Sequence, residues 1–135
     1  PRQRSDSDDA GGAHGGLIEQ LVEFMLSEHL AAYFFRRLGE QAVEPVLAEM
    51  LELIAADEVR HAQSASDLLA KRIAADAAVV PRVLDAGADF RHYGERAVGT
   101  VPVAQAGHPI AISTFGRRIE PLCGVRLVDH LKASL

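Results

Sequence analysis

Glu28, Glu58 and His61 are the residues of this chain whose types and spacing point to chemistry. Glu58 and His61 stand three apart, which places a carboxylate and an imidazole one turn apart on one helix face. Glu28 adds a carboxylate from an earlier segment, and each of the three interrupts a row of apolar residues. Charge placed in an apolar seam costs several kcal/mol unless something pairs with it. A metal ion is the partner that best accounts for two carboxylates and one imidazole together. Three nitrogen and oxygen donors with open coordination positions suit iron or manganese and, with iron, chemistry on O2.

Two long helices must position these groups. Over residues 17–38 the apolar positions step by four and three: Leu17, Leu21, Phe24, then Ala31, Phe35 and Leu38, with Glu28 completing the heptad. Gly39 reads as a C-terminal stop, and Pro45 suits the first turn of a second helix over 44–73. Its seam reads Leu47, Leu51, Ile54, Glu58, His61, Ala65, Leu68. The short connection predicts an antiparallel hairpin. Counted outward from the turn, Glu28 lies ten residues from Leu38 and Glu58 eleven from Leu47. At ~1.5 Å rise per residue the two travel similar distances, so Glu28 should face Glu58 and His61.

The remaining segments are shorter. Asp76 is placed to cap a third helix over 77–87 with Pro81 early in it, and 89–96 can add a turn or two. Residues 99–107, with Pro102 and Gly107, read as loop. Residues 109–122 read as helix ended by Pro121 and Gly124, and 125–135 as a final short helix. No internal repeat or convincing strand pattern is present; residues 100–104 are β-tolerant but too short to argue from. The expected fold is all-α: one antiparallel helix pair plus shorter C-terminal helices, in a single domain over 17–135. Residues 1–16 are mostly Ser, Asp, Gly and Arg and read as a disordered tail or interdomain linker. A linker-like start on Pro1 rather than Met predicts further polypeptide upstream.

The 135 residues suffice for one domain with a core, and 48% hydrophobic with 24% charged is ordinary globular composition. A net charge of −5 gives no reason to expect nucleic acid or an anionic membrane. No apolar run approaches the ~20 residues of a membrane span, and no signal peptide opens the chain. The single cysteine, Cys123, excludes an internal disulfide, fits a cytoplasmic setting, and reads as a small packing residue.

Other polar residues have plainer readings. Glu19 and Glu23 lie off the seam and read as solvated, with Glu23 a reserve ligand if the hairpin slips by a turn. Asp57 is a candidate acceptor for a ligating histidine, or an exposed charge. His29 points off the seam and reads as a surface or helix-flank residue, and His92, His108 and His130 have no ligand-spaced partner. Arg36, Arg37, Lys71 and Arg72 read as a solvated face that an acidic partner could use. Phe24, Tyr33, Phe34 and Phe35 read as core or helix-interface residues.

The string from Ile54 to His61, Ile-Ala-Ala-Asp-Glu-Val-Arg-His, resembles the second Asp-Glu-x-Arg-His iron motif of soluble acyl-acyl-carrier-protein desaturases, which are ferritin-like di-iron proteins. Glu28 occupies the place of the glutamate on the preceding helix. A fainter likeness runs through Phe90, His92, Tyr93, Gly99 and Val101, and again over 117–122 and Gly124. The resemblance implies two irons per complete site, with Glu28 a terminal ligand, Glu58 a bridging ligand and His61 a terminal nitrogen ligand. It implies hydrogen removal from an acyl chain held on acyl-carrier protein, with electrons from a ferredoxin-type donor.

Two departures accompany it. The family builds its site from two helix pairs, each giving one Glu and one Glu-x-x-His, and this chain supplies one pair. The family threonine one turn after the matching glutamate is here Ala31. The segment after Ile73 is also shorter. The missing ligands would come from an N-terminal half upstream, the preferred reading, or from a homodimer partner; otherwise the half-site is a relic. The competing readings are a metal-free helical interaction module and another ferritin-like di-iron or manganese protein, an oxygenase or a metal handler.

Overall fold

A computed structural model describes residues 16–90, 97–98 and 101–135. The expected tail lies outside the described residues except for Gly16, as does the extension over 91–96. Two long helices dominate: α1 (Leu17–Gln41) and α2 (Pro45–Ala75). After a 3-10 turn (Ala77–Val79) come α3 (Val80–Asp89), a two-residue antiparallel ladder of β1 (Ala97–Val98) and β2 (Val101–Pro102), then α4 (Val103–Arg118), α5 (Glu120–Cys123) and α6 (Leu127–Ala133). The architecture is an all-α bundle. Among the described residues no helix is long and apolar enough to cross a membrane.

Local chemistry explains the boundaries. Glu44 caps α2, its carboxylate accepting the Leu47 N–H at 2.7 Å, and Pro45 takes the first helical position. Asp76 accepts the Ala78 N–H, so it caps the 3-10 turn rather than α3 itself, which opens with Pro81 in its first turn. Gly39 does not stop α1. The helix continues to Gln41, and Gly39 is buried where a Cβ would lie 3.4 Å from the Ala48 carbonyl oxygen and the Leu51 Cβ. The two arms of the hairpin come close there, near the turn.

The C-terminal part differs more from expectation. Residues 103–107, read as loop, form the start of α4, and Pro109 sits inside that helix without ending it. Pro121 opens α5 instead of closing the segment before it; the left-handed Gly124 (φ 71°) is what ends α5.

The core joins α1, α2, α3 and α4. Ile18, Val22, Met25, Leu26 and Leu30 of α1 pack with Ala62, Ala65 and Leu69 of α2, Val83 and Leu84 of α3, and Ala111 and Phe115 of α4. This overturns most of the expected seam; of its members Ala65 is buried and Leu21 packs against the core. The buried stripe is the neighbour of the predicted one: Leu17, Phe24, Leu38, Leu47 and Leu68 remain 44–50% exposed. The reason is steric. On α2 the buried positions are mostly small (Ala55, Ala62, Ala65, Ser66), so the large side chains of α1 seat there and the backbones come close. Each long helix thus carries two adjacent apolar stripes, one buried and one half open. Phe24 and Tyr33, expected in the core or interface, point outward; Phe34 lies partly buried against the core and meets the Tyr33 ring edge-on at 5.4 Å.

Two further contacts fix the bundle. Glu19 accepts the Gly16 N–H at 2.9 Å and, through both carboxylate oxygens, the Arg82 guanidinium at 2.8 and 3.1 Å. It is therefore an anchor between α1 and α3, not a solvated residue. Gly87 of α3 lies under the Phe115 ring, whose atoms would be 2.2–2.7 Å from any Cβ added there.

Candidate metal centre

Glu28 projects from the middle of α1; Glu58 and His61 project one turn apart from the middle of α2. The structure brings all three together: one ligand atom of each lies within 4.8 Å of the others. His61 Nδ1 is 3.1 Å from Glu28 Oε2 and 3.9 Å from Glu58 Oε1. The antiparallel packing of α1 on α2 produces this level, as the count from the turn predicts.

Their surroundings differ from a sealed seam. The Glu28 and Glu58 side chains are 18% and 19% exposed, whereas that of His61 is 55% exposed. The trio sits at the lip of the hairpin interface, on the half-open stripe, with apolar side chains above and below it. The two carboxyls hydrogen-bond to each other. That bond, burial and the negative charge of Glu28 raise the Glu58 carboxyl to about 7, against a smaller lowering pull from His61.

These groups fit a divalent cation. Two oxygens and a nitrogen converge on one point, and a cation placed there would relieve the repulsion that makes the carboxyl pair hold a proton. Hard carboxylates beside an imidazole suit iron or manganese. Three donors would leave further coordination positions for other ligands.

Among the described residues Asp57 is not paired with a histidine. It forms an ion pair with Arg60, one turn along on the exposed face, while His61 Nδ1 already faces Glu28. Glu23 stays out of the cluster and lines an open groove along α1 with Leu17, Gln20, Leu21, Phe24, Ser27 and Glu28. Ser27 was not singled out from sequence. Its Oγ is buried without a hydrogen-bond partner, directly before Glu28; a lone serine inside a helix gives little warning of this.

The histidines divide. His29 is half-buried on α1 and held below the usual imidazole range by burial and by Arg118 and Arg117 of α4. His130 packs α6 on α3, with Nε2 2.7 Å from Asp85 Oδ1. His92 lies outside the described residues, and the His108 side chain is likewise not described. Cys123 is partly buried against the core, with burial raising its thiol. Arg36, Arg37, Lys71 and Arg72 are exposed, Arg37 pairing with Glu40.

Fold and site together define a helix hairpin bearing a carboxylate–carboxylate–histidine cluster whose spacing could hold a metal ion. Comparison with known proteins points to a particular group. Over 100 residues the chain is 32% identical to proteins of two Mycobacterium tuberculosis strains, each named "Putative acyl-[acyl-carrier-protein] desaturase DesA2". The match covers 68% of this chain and 36% of each relative, so the chain spans about a third of their length. No protein-family profile matches the chain, and no solved structure matches it.

Proposed function

We propose that residues 17–135 form a domain supplying half of a two-metal carboxylate site in an oxygen-dependent oxidoreductase of the acyl-acyl-carrier-protein desaturase type. The observation that carries this reading is the convergence of Glu28, Glu58 and His61 within 4.8 Å across the hairpin. The resemblance of the Asp57-Glu58-Val59-Arg60-His61 string and the similarity to the named desaturases support it.

In this reading Glu28 is a terminal carboxylate ligand, Glu58 the bridging one and His61 the terminal nitrogen. When bound, two irons would supply redox chemistry toward O2. The chain's own part is to hold three donors level and to give up the proton on the Glu58 carboxyl when metal binds. The groove beside Glu28, with its apolar Leu17, Leu21 and Phe24, suits an acyl chain. The acidic acyl-carrier protein would deliver that chain, with Arg36, Arg37, Lys71 and Arg72 as exposed cations for it. A ferredoxin-type protein would supply electrons. Ala31, lacking the family hydroxyl, leaves the neighbourhood of the metals more apolar.

Metal analysis after anaerobic iron loading tests the reading. The protein should hold about one iron per chain, two per completed site, and Glu58→Ala with His61→Ala should abolish binding. No bound iron, and equally none with manganese, would sink it. Metal binding without acyl-chain product would move the protein to another di-iron or manganese activity.

The half-open apolar stripe favours one competing reading, a metal-free interaction module. It predicts that Glu58→Ala and His61→Ala together leave stability unchanged or raised, because costly polar groups are removed from an apolar surface.

A further inference from the structure

α6 is a helix that cannot stand alone. Its 7 residues are too few to stay helical in water without tertiary contacts. None of them is buried, and of residues 127–133 only Leu127 and His130 are partly covered. Leu127 packs against the core, and its N–H is accepted by Glu120 Oε1 of α5 at 2.8 Å. His130 Nε2 meets Asp85 Oδ1 of α3 at 2.7 Å. That contact joins α6 to α3 through two side chains, and it is an ion pair only while the imidazole is protonated. We propose that α6 is a pH-released strap, fastened on α3 while His130 carries its proton and loosened when it loses it.

The surroundings of His130 support this. Its side chain is 18% exposed against 63% for Asp85, so the titrating ring is the covered member of the pair. The other charged groups of the elements packed there have their own places. On α3, Arg82 binds Glu19 of α1, and Asp89 lies one turn beyond Asp85. On α5, Glu120 accepts the Leu127 N–H. At the start of α6, Arg126 pairs with Asp129 at 3.0 and 3.3 Å, and Lys132 follows His130 by two positions. Arg82 and Asp85 stand one turn apart on α3, which is thus clasped by α1 through one and by α6 through the other.

An imidazole changes charge between about pH 5 and 8. Protonated, it gives Asp85 a charge-assisted hydrogen bond; neutral, it keeps at most an ordinary one. The proton therefore favours the docked helix, so docking is strongest at low pH and weakens as pH rises. For a pair this open to solvent the docked-to-free ratio should change roughly three- to fivefold. That is a large change for a helix with no buried residue to offset it.

Backbone nitrogen relaxation of residues 127–133 in the full chain, between about pH 5 and 8, tests the proposal, with the amides of α1 and α2 as internal reference. Order in α6 should fall as pH rises while the reference holds. Because Glu58 titrates near 7, the series is repeated in Glu58→Gln, where the α6 response should persist. His130→Gln, which never carries charge, should keep α6 near its high-pH order throughout, and Asp85→Asn should remove the response. An α6 equally ordered across the range overturns the proposal. So does a response that survives either His130→Gln or Asp85→Asn, or one that vanishes with Glu58→Gln.

Discussion

His61 Nδ1 and Glu28 Oε2 lie 3.1 Å apart although 33 residues separate them in the chain. With Glu58 alongside, the contact joins α1 to α2 through groups that a shorter or longer turn would displace from one another. Because Glu28 and burial together raise the Glu58 carboxyl, the cluster should respond to pH.

Glu58 makes that response measurable. Its folded carboxyl titrates near 7, above the ordinary 4.5 of an unfolded chain. The folded state therefore binds the proton more tightly, and the associated stability is complete below 4.5 and lost as pH rises through about 7. With metal chelated, the melting temperature should fall between about pH 5 and 8 relative to Glu58→Gln. Parallel pH profiles for the two proteins would contradict this. By the same proton, metal affinity should weaken as pH drops below 7.

Gly87→Ala should destabilise the bundle by about 1–3 kcal/mol. Alanine favours helices, but the added carbon would sit 2.2 Å from Phe115 Cε2, far inside contact distance. The clash outweighs a propensity gain of about 1 kcal/mol. Urea denaturation reads the loss, and Phe115→Leu in the same chain should recover part of it relative to Phe115→Leu alone.

Glu19→Ala should cost about 1 kcal/mol, because it removes both an N-terminal acceptor of α1 and the α1–α3 ion pair with Arg82. The Arg82 hydrogen bond is the largest of the influences holding Glu19 below the usual carboxylate value. Its contribution is therefore present above 4.5 and lost as pH falls, opposite in sign to that of Glu58. Acid unfolding of wild type and variant should converge at low pH.

The helix pair and the level of the trio were legible because the three-and-four apolar spacing persists through both long helices and the turn is short. Which apolar stripe is buried was not legible. Ile18, Val22 and Met25 are as apolar as Leu17, Leu21 and Phe24, and only the small residues of the facing helix decide which set fits. Gly39 and Pro109 misled for a related reason. Gly39 carries a local signal to stop a helix and Pro109 one to start a helix, and each lies inside one, Gly39 where the two arms come close. The pairing of Glu19 with Arg82 spans 63 residues, beyond any local pattern.

Ala62, fully buried and adjacent to His61, has a role that its methyl group does not advertise. Its small side chain belongs to the core that joins the two arms of the hairpin, where there is little room for a larger one. A leucine there would wedge the arms open and pull His61 from Glu28 without touching either. The width of the candidate metal centre is thus written in a residue that could never be a ligand.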